Sequence, residues 1–398
     1  MNFTFLHCAD LHLGSPLIGL SLKDKAVAGR FAAASREAFS DLVTRALEER
    51  VAFVLIAGDI YDGEWKDNSI GLFFNREVAR FARAGIPVFV IKGNHDAESV
   101  VTGTVPLPES VRLFSARKAE TVRLEQLRVA IHGRSYSERA VTENLALSYP
   151  PLVAGWFNIG LLHTACGQSG HDNYAPCSVN DLASRGYNYW ALGHVHERKT
   201  LLKDPWIVFP GNLQGRHARE LGPKGGVFVD VADGFVTGLR DVDVDRARWV
   251  EAVVPVGGAQ ATQVALDAVK TRLLAACAGS RDRLVAARVR LTGETALHRE
   301  FVARRTQLRD DIQAMAEHEL ESVWLERLVI ETREPARQAR KAGDAADAFD
   351  IAALIDGCAA DAGVRARALD LLDTVNALMP QTSTEDVAPL ADDIATLM

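Results

Sequence analysis

Six short apolar runs, at residues 3–7, 53–56, 88–91, 129–132, 159–162 and 189–192, have the length and the β-branched or aromatic content of buried strands. Between the first three lie segments of a different period. Residues 24–50 place Val27, Phe31, Ala34, Ala38, Leu42, Ala46 and Leu47 at helical spacing, and residues 68–84 do the same with Ile70, Phe73, Phe74, Val78 and Phe81. Strands alternating with amphipathic helices predict a layered α/β core. From Trp206 the runs shorten, to 207–209, 227–231 and 235–239, with glycine-rich turns between them. The core is therefore expected to close with antiparallel strands.

A second unit is read over 243–335. A strand near 249–254 stops at Pro255, and a helix over 262–277 carries Val264, Val269, Leu273 and Cys277 among its apolar positions. An alternating strand then turns Val285, Ala287, Val289 and Leu291 to one face. A helix at about 297–318 and a strand at 324–331 complete a small α+β unit with no cluster of chemically active groups. The last stretch reads as helical, amphipathic and broken near its end by Pro380 and Pro389. A chain of 398 residues suits two or three domains, and the divisions read here are 1–242, 243–335 and 336–398.

Charge sharpens this division. The net charge is −7, yet residues 344–398 hold eleven Asp/Glu against only Arg365 and Arg367, so the rest of the chain is slightly positive. Two segments, 112–139 and 185–224, each carry seven Lys/Arg against three acids. A near-neutral body with local basic patches and an acidic tail is compatible with a phosphate-rich substrate without demanding one. Five scattered cysteines without a CxxC pair argue for reduced, mostly buried thiols and a cytoplasmic protein. The N-terminus lacks the features of a signal peptide, and no apolar run has the ~20 residues of a membrane span, so no membrane partner is expected.

The chemistry concentrates in five short motifs, each directly after an apolar run. They are Asp10-Leu11-His12, Gly58-Asp59-Ile60-Tyr61-Asp62, Gly93-Asn94-His95-Asp96, His163-Thr164 and Gly193-His194-Val195-His196. In open α/β sheets ligands collect beyond the carboxyl ends of strands, where loops can converge on one point. The set offers carboxylates, imidazoles and an amide carbonyl but no thiolate, which favours Mn, Fe or Zn over Mg. Asp10, His12, Asp59, Asn94, His163, His194 and His196 exceed the needs of one ion, and a carboxylate can bridge two ions roughly 3.5–4 Å apart. Glycines 58, 93 and 193 let the backbone turn beside a ligand without a Cβ clash. His7 and His132, alone in strand-like runs, read as packed or surface side chains.

These residues resemble the calcineurin-like metallophosphoesterase superfamily, with its ordered DxH, GDxxD, GNHD/E, lone His and GHxH motifs. The resemblance covers about residues 1–240. It implies a β-sandwich flanked by helices, one metal held by Asp10, His12, Asp59 and His196, and another held by Asp59, Asn94, His163 and His194. It also implies that His95 is the catalytic histidine acting on the phosphate, oriented by Asp62. Within the superfamily the chain looks most like the SbcD-like DNA-repair exonuclease branch and its YhaO-like group. The segment 7–14, HCADLHLG, is similar to that branch's opening motif. Residues 209–216, FPGNLQGR, followed by Lys224-Gly225-Gly226, resemble its YPGS-type motif, with Phe for Tyr and Asn for Ser. The unit at 243–335 stands where that branch has its capping domain.

The resemblance thus implies a manganese-dependent DNA exonuclease or endonuclease acting in repair. Its expected partners are DNA, an SbcC-like ABC ATPase with a coiled-coil arm, and a second copy of the chain as a homodimer. Arg216 is a candidate phosphate contact, the alternative being an ion pair with Glu220. The amphipathic stretch 349–379 is the candidate docking segment for the ATPase, the alternative being packing on the chain's own second unit. Two other functions stay open at this point: a small-molecule or nucleotide phosphodiesterase of the same superfamily, and a non-catalytic scaffold. A protein phosphatase is disfavoured because Gly63 follows Asp62 where those enzymes carry Arg.

Overall fold

The computed structural model describes residues 2–15, 25–62, 68–98, 105–168, 174–280, 282–320 and 322–335, and beyond these only Gly363 and Arg367. Apart from those two residues, the C-terminal region 336–398, with its expected helices and Cys358, lies outside the described residues.

Two six-stranded sheets face each other. The first runs β12-β11-β1-β2-β3-β4 and the second β5-β6-β7-β8-β10-β9. In the first, β1 (Asn2–Cys8), β2 (Val54–Ala57), β3 (Val88–Ile91) and β4 (Val111–Leu113) are parallel. The pair β11 (Gly225–Ala232) and β12 (Phe235–Asp243) closes it antiparallel. In the second, β6 (Val129–Gly133), β7 (Phe157–His163), β8 (Tyr189–Gly193) and β10 (Trp206–Pro210) are parallel. Antiparallel β5 (Glu120–Leu124) and β9 (Arg198–Lys203) form its edges.

The period of two decides what each strand residue buries. Phe5, Leu55, Ala57, Phe89 and Ile91 of the first sheet meet Val129, Ile131, Phe157, Ile159, Leu161, Tyr189 and Ala191 of the second in the sandwich interior. The alternate residues Leu6, Cys8, Val54, Ile56, Val88 and Val90 turn outward and are covered by α1 (Lys25–Glu49) and α2 (Asn68–Arg83). These helices contribute Phe39, Leu42, Val43 and Ala46, and Ile70, Phe74, Val78 and Phe81. Strands buried on both faces read as unbroken apolar runs, which is why they stand out in the sequence. The outer face of the second sheet is covered by a smaller cluster that includes Tyr136, Tyr149, Leu182 and Tyr187 around Trp190.

Residues 247–333 build a third, separate sheet of three parallel strands, β13 (Ala247–Pro255), β14 (Leu284–Glu294) and β15 (Val323–Arg333). Its core joins Val250, Ala252 and Val254 with Val285, Ala287, Val289 and Leu291 under the helix Thr262–Cys277. Two of the expectations need correction here. The helix expected over 297–318 is two helices, His298–Ala303 and Arg305–Glu319, interrupted at Arg304, whose φ of −109° and ψ of 26° leave the helical region. In the helix Thr262–Cys277 it is Ala265 that is buried, and Val264 is 55% exposed, because the core stripe runs through Ala265, Val269, Leu273 and Cys277.

Candidate metal centre

Each of the five motifs leaves the carboxyl end of a parallel strand. β1 leads to Asp10 and His12, β2 to Asp59 and Asp62, and β3 to Asn94 and His95 in the first turn of a short helix, Asn94–Glu98. β7 ends on His163, and β8 leads to His194 and His196. The two sheets are joined at this point. His163 Nδ1, at the end of the second sheet, lies 2.8 Å from the Ala57 carbonyl of the first. Since a carbonyl only accepts, Nδ1 carries the proton and Nε2 presents its lone pair to the site.

The loops are held in backbone conformations that side chains disfavour. Asp10 (φ 51°), His12 (φ 41°), Asp59 (φ 53°) and His194 (φ 100°) all have positive φ. Each such residue costs on the order of 1–3 kcal/mol, and the surroundings must over-determine it. Here they do: Asp10 N donates to Gly58 O at 3.0 Å, His12 N to Asp59 O at 3.0 Å, and His194 N to both Asp10 carboxylate oxygens at 3.0 and 3.1 Å. Glycine is needed at 93 for close approach, because a Cβ there would fall 2.2 Å from Asp59 Oδ1 and 2.8 Å from the His163 ring. Gly58 combines φ 91° with a Cβ position 2.7 Å from His163 Nδ1.

The ligand atoms gather in two groups, Asp10–His12–His196 and Asp59–His163–His194, each with its atoms within 4.8 Å of one another. His12 Nε2 and His196 Nε2 are 3.2 Å apart. His163 Nε2 is 3.0 Å and His194 Nδ1 3.3 Å from Asn94 Oδ1. Two nitrogens that share one cation at about 2.0–2.1 Å stand roughly 3 Å apart, so these separations fit coordination spheres. Asp59 Oδ2 lies between the groups, 3.5 Å from His163 Nε2 and 3.9 Å from His12 Nε2. The residues present therefore fit two divalent cations with Asp59 shared.

Charge in the site follows from burial and proximity. Burial pushes the Asp10 carboxyl up to about 6, against the pull of His196 and His163. Burial acts on Asp59 in the same direction, but the neighbouring His163 outweighs it and holds Asp59 well below the usual carboxylate range. Burial drives the His12 imidazole far down, so it stands neutral, the form a cation requires.

Beside this centre stands a separate pair. His95 Nδ1 is 2.9 Å from Asp62 Oδ1, and both side chains are partly exposed. Burial would lower the His95 pKa, but the hydrogen bond to Asp62 and the charge of Asp59 raise it overall. His95 keeps its proton to higher pH than a free histidine and loses it as the pH climbs through that raised value. The backbone N–H of His95 donates to Asp59 Oδ1 at 3.0 Å, which fixes the pair to the metal groups.

All seven expected ligands, His95 and Asp62 converge, and Arg216 stands next to them. Its Nη1 is 3.7 Å from Asp62 Oδ2 and its Nε 3.8 Å from Glu220 Oε1, so the guanidinium sits between the two carboxylates. Arg134, in the basic segment 112–139, bonds Glu143 at 2.7 Å and Ser148 at 3.1 Å. His7 and His132 are fully buried packing residues, bonded to Tyr189 and Leu192 and to Thr121 and Asn158. Four cysteines are free and buried: Cys8, Cys166, Cys177 and Cys277.

Sequence reasoning gave no role to three residues that brace the centre. Asp96 is buried and accepts from Ile60 N at 2.9 Å, Tyr61 N at 3.1 Å and Gly93 N at 3.1 Å, tying two ligand loops together. Its place directly after His95 was the available signal. Tyr136 Oη donates to the His163 carbonyl at 2.8 Å, and Lys224 Nζ to the His196 carbonyl at 2.8 Å. Tyr136 sits in no motif, and Lys224 follows the YPGS-like segment without a feature that points to this bond.

Residues 3–198 match the family model of calcineurin-like phosphoesterases, and residues 249–333 match that of the middle domain of metallophosphoesterase YhaO. Over residues 3–198, just under half of its length, the chain is thus similar to the calcineurin-like phosphoesterases. Among curated proteins it is 37% identical over 263 residues to the uncharacterized metallophosphoesterase YhaO of Bacillus subtilis, a stretch covering 64% of each chain. It is 27% identical over 260 residues to the DNA double-strand break repair protein Mre11 of Sulfurisphaera tokodaii, covering 62% of this chain and 64% of that one. The Mre11 of Aeropyrum pernix matches at 27% over 302 residues, 70% of this chain and 69% of its own. The chain thus spans somewhat less than two thirds of the first two relatives. Among the described residues, no helix is long and apolar enough to cross a membrane.

Proposed function

We propose that the chain is a two-metal phosphodiesterase that cleaves DNA in repair, with manganese as its metal. The observation that carries the reading is the pair of ligand groups sharing Asp59, with the His95–Asp62 pair alongside. In this reading Asp10, His12, Asp59 and His196 hold one cation, and Asp59, Asn94, His163 and His194 the other. Two divalent cations supply Lewis-acid stabilisation of charge on a phosphate and activation of a nucleophile at neutral pH. The chain's own part is to fix the ligands on rigid strand ends and to keep the His95 imidazole, whose pKa Asp62 raises, next to the site. From there His95 stabilises charge on the phosphate or protonates the leaving oxygen, and Asp62 holds its ring. Arg216, 17% exposed beside this pair, is assigned to a substrate phosphate.

DNA is chosen as substrate on the strength of the Mre11 relatives. The test is purified protein with Mn²⁺ on labelled single- and double-stranded DNA, with bis-p-nitrophenyl phosphate as a generic phosphodiester. Cleavage of DNA together with the small ester is expected. Hydrolysis of the small ester with intact DNA would place the chain among small-molecule phosphodiesterases, and no hydrolysis of either would favour a scaffold.

The partner assignment belongs to the same proposal. A coiled-coil ABC ATPase docks on the region 336–398, and the basis is the apolar stripe of residues 349–379 at helical spacing. Truncation after Arg340 is expected to leave hydrolysis of the small ester intact and to abolish co-purification with the ATPase. A truncated chain that unfolds or loses basal hydrolysis would instead assign the tail to the chain's own core. The cytoplasm as compartment and a homodimeric state complete the proposal, and sedimentation of the purified chain checks the latter.

A further inference from the structure

His196 is backed by a buried carboxylate. Its Nδ1 lies 2.6 Å from Glu220 Oε1. Glu220 is 8% exposed and comes from the loop that follows β10 rather than from any of the five motifs. Its second oxygen, Oε2, accepts from Asn212 Nδ2 at 2.8 Å and from Arg216 N at 2.7 Å. His217 Nε2 also approaches Oε1, at 3.4 Å. The carboxylate is therefore held from several sides before it meets the imidazole.

The consequence for His196 is chemical as well as steric. A carboxylate accepts, so His196 Nδ1 carries the proton and Nε2 is left with its lone pair. That lone pair faces the point shared with His12 Nε2, 3.2 Å away. The Lys224 ammonium, at 2.8 Å from the His196 carbonyl, fixes the backbone of the same residue. Carboxylates that bond a ligand imidazole in this way orient the ring and raise its basicity, and their loss typically costs about 10–100-fold in metal affinity.

We propose that Glu220 is the positioning residue for the cation held by Asp10, His12 and His196, and that it acts on this cation and not on the second. The inference rests on the two-cation reading above. It makes the two sites unequal: removing Glu220 loosens one cation and leaves the one at Asp59, Asn94, His163 and His194 in place.

The experiment is a Mn²⁺ titration of metal-stripped wild type, Glu220→Ala and Glu220→Gln, followed by electron paramagnetic resonance and by calorimetry. Wild type is expected to take up two ions and to show the spectrum of a coupled pair. Glu220→Ala is expected to bind the first ion as wild type does and the second about 10–100-fold more weakly, giving a mononuclear spectrum at one equivalent. Glu220→Gln keeps an oxygen that accepts from Nδ1, and it is expected to recover part of the loss. Thermal melting without metal shows whether each variant folds. If Glu220→Ala does not fold, Glu220→Asp, whose shorter chain draws the carboxylate back from His196, replaces it with the same expectation. A folded variant that binds both ions like wild type, or that weakens both equally, overturns the proposal. Wild type that takes up fewer than two ions overturns the two-cation reading instead.

Discussion

His95→Asn is expected to slow phosphodiester hydrolysis by about 10²–10⁴-fold while two cations stay bound, the range that loss of a proton-transferring side chain produces. The imidazole bonds Asp62 through Nδ1 at 2.9 Å and is 28% exposed, so it faces the space where a substrate would lie. A grouping of His12, Asp62 and His95 also has ligand atoms within 4.8 Å of one another, which offers His95 as a metal ligand instead. Metal analysis of the variant separates the two roles. Retention of both ions with lost turnover supports action on the phosphate, and loss of one ion contradicts it. The same pair sets a sign for pH. Asp62 raises the His95 pKa, so Asp62→Asn removes the largest upward influence and the alkaline limb of the rate moves to lower pH.

The parts of the fold that the sequence announces are those buried on two faces. β1, β2, β3, β7 and β8 are central strands, and their apolar runs need no partner strand to be recognised. The strands that escape notice, β4, β5 and β9, lie at sheet edges. An edge strand buries little and carries charge that discourages further pairing, as Arg198, Lys199 and Lys203 do in β9. Its pattern resembles a loop.

The site divides along similar lines. Its ligands are legible because metal chemistry restricts residue type and each ligand directly follows a strand. The braces are not legible, because a carboxylate such as Asp96 or Glu220 and a hydroxyl such as Tyr136 act through partners distant in sequence. Asp96 meets Ile60 across 36 positions, and Tyr136 meets His163 across 27. The choice between DNA contact and ion pair for Arg216 was open in the sequence, and the guanidinium now stands within 4 Å of two carboxylates, Asp62 and Glu220. The position of His95 beside Asp62 follows from the GDxxD spacing, since β2 and β3 are neighbours and their loops emerge side by side.

Stripping the metal is expected to have the larger effect still, reducing hydrolysis to background, because in the proposed reading the cations activate the nucleophile. Every imidazole in the centre must be neutral to serve as a ligand, and His163 bears a proton that opposes this. Burial lowers its pKa, but Asp59 outweighs burial and lifts it to about 9. In the stripped chain a proton on His163 therefore competes with the cation, and metal uptake weakens as the pH falls below that value. Asp59, with oxygen 3.5 Å from His163 and 3.9 Å from His12, lies between the two ligand groups. The central claim, that this one shared carboxylate organises two cations for phosphodiester hydrolysis, is tested most directly by counting metal per chain while following bis-p-nitrophenyl phosphate hydrolysis during Mn²⁺ reconstitution of the stripped protein. The account predicts that turnover rises only as occupancy passes from one to two ions per chain. Full turnover at one ion, or in the stripped protein, would contradict it.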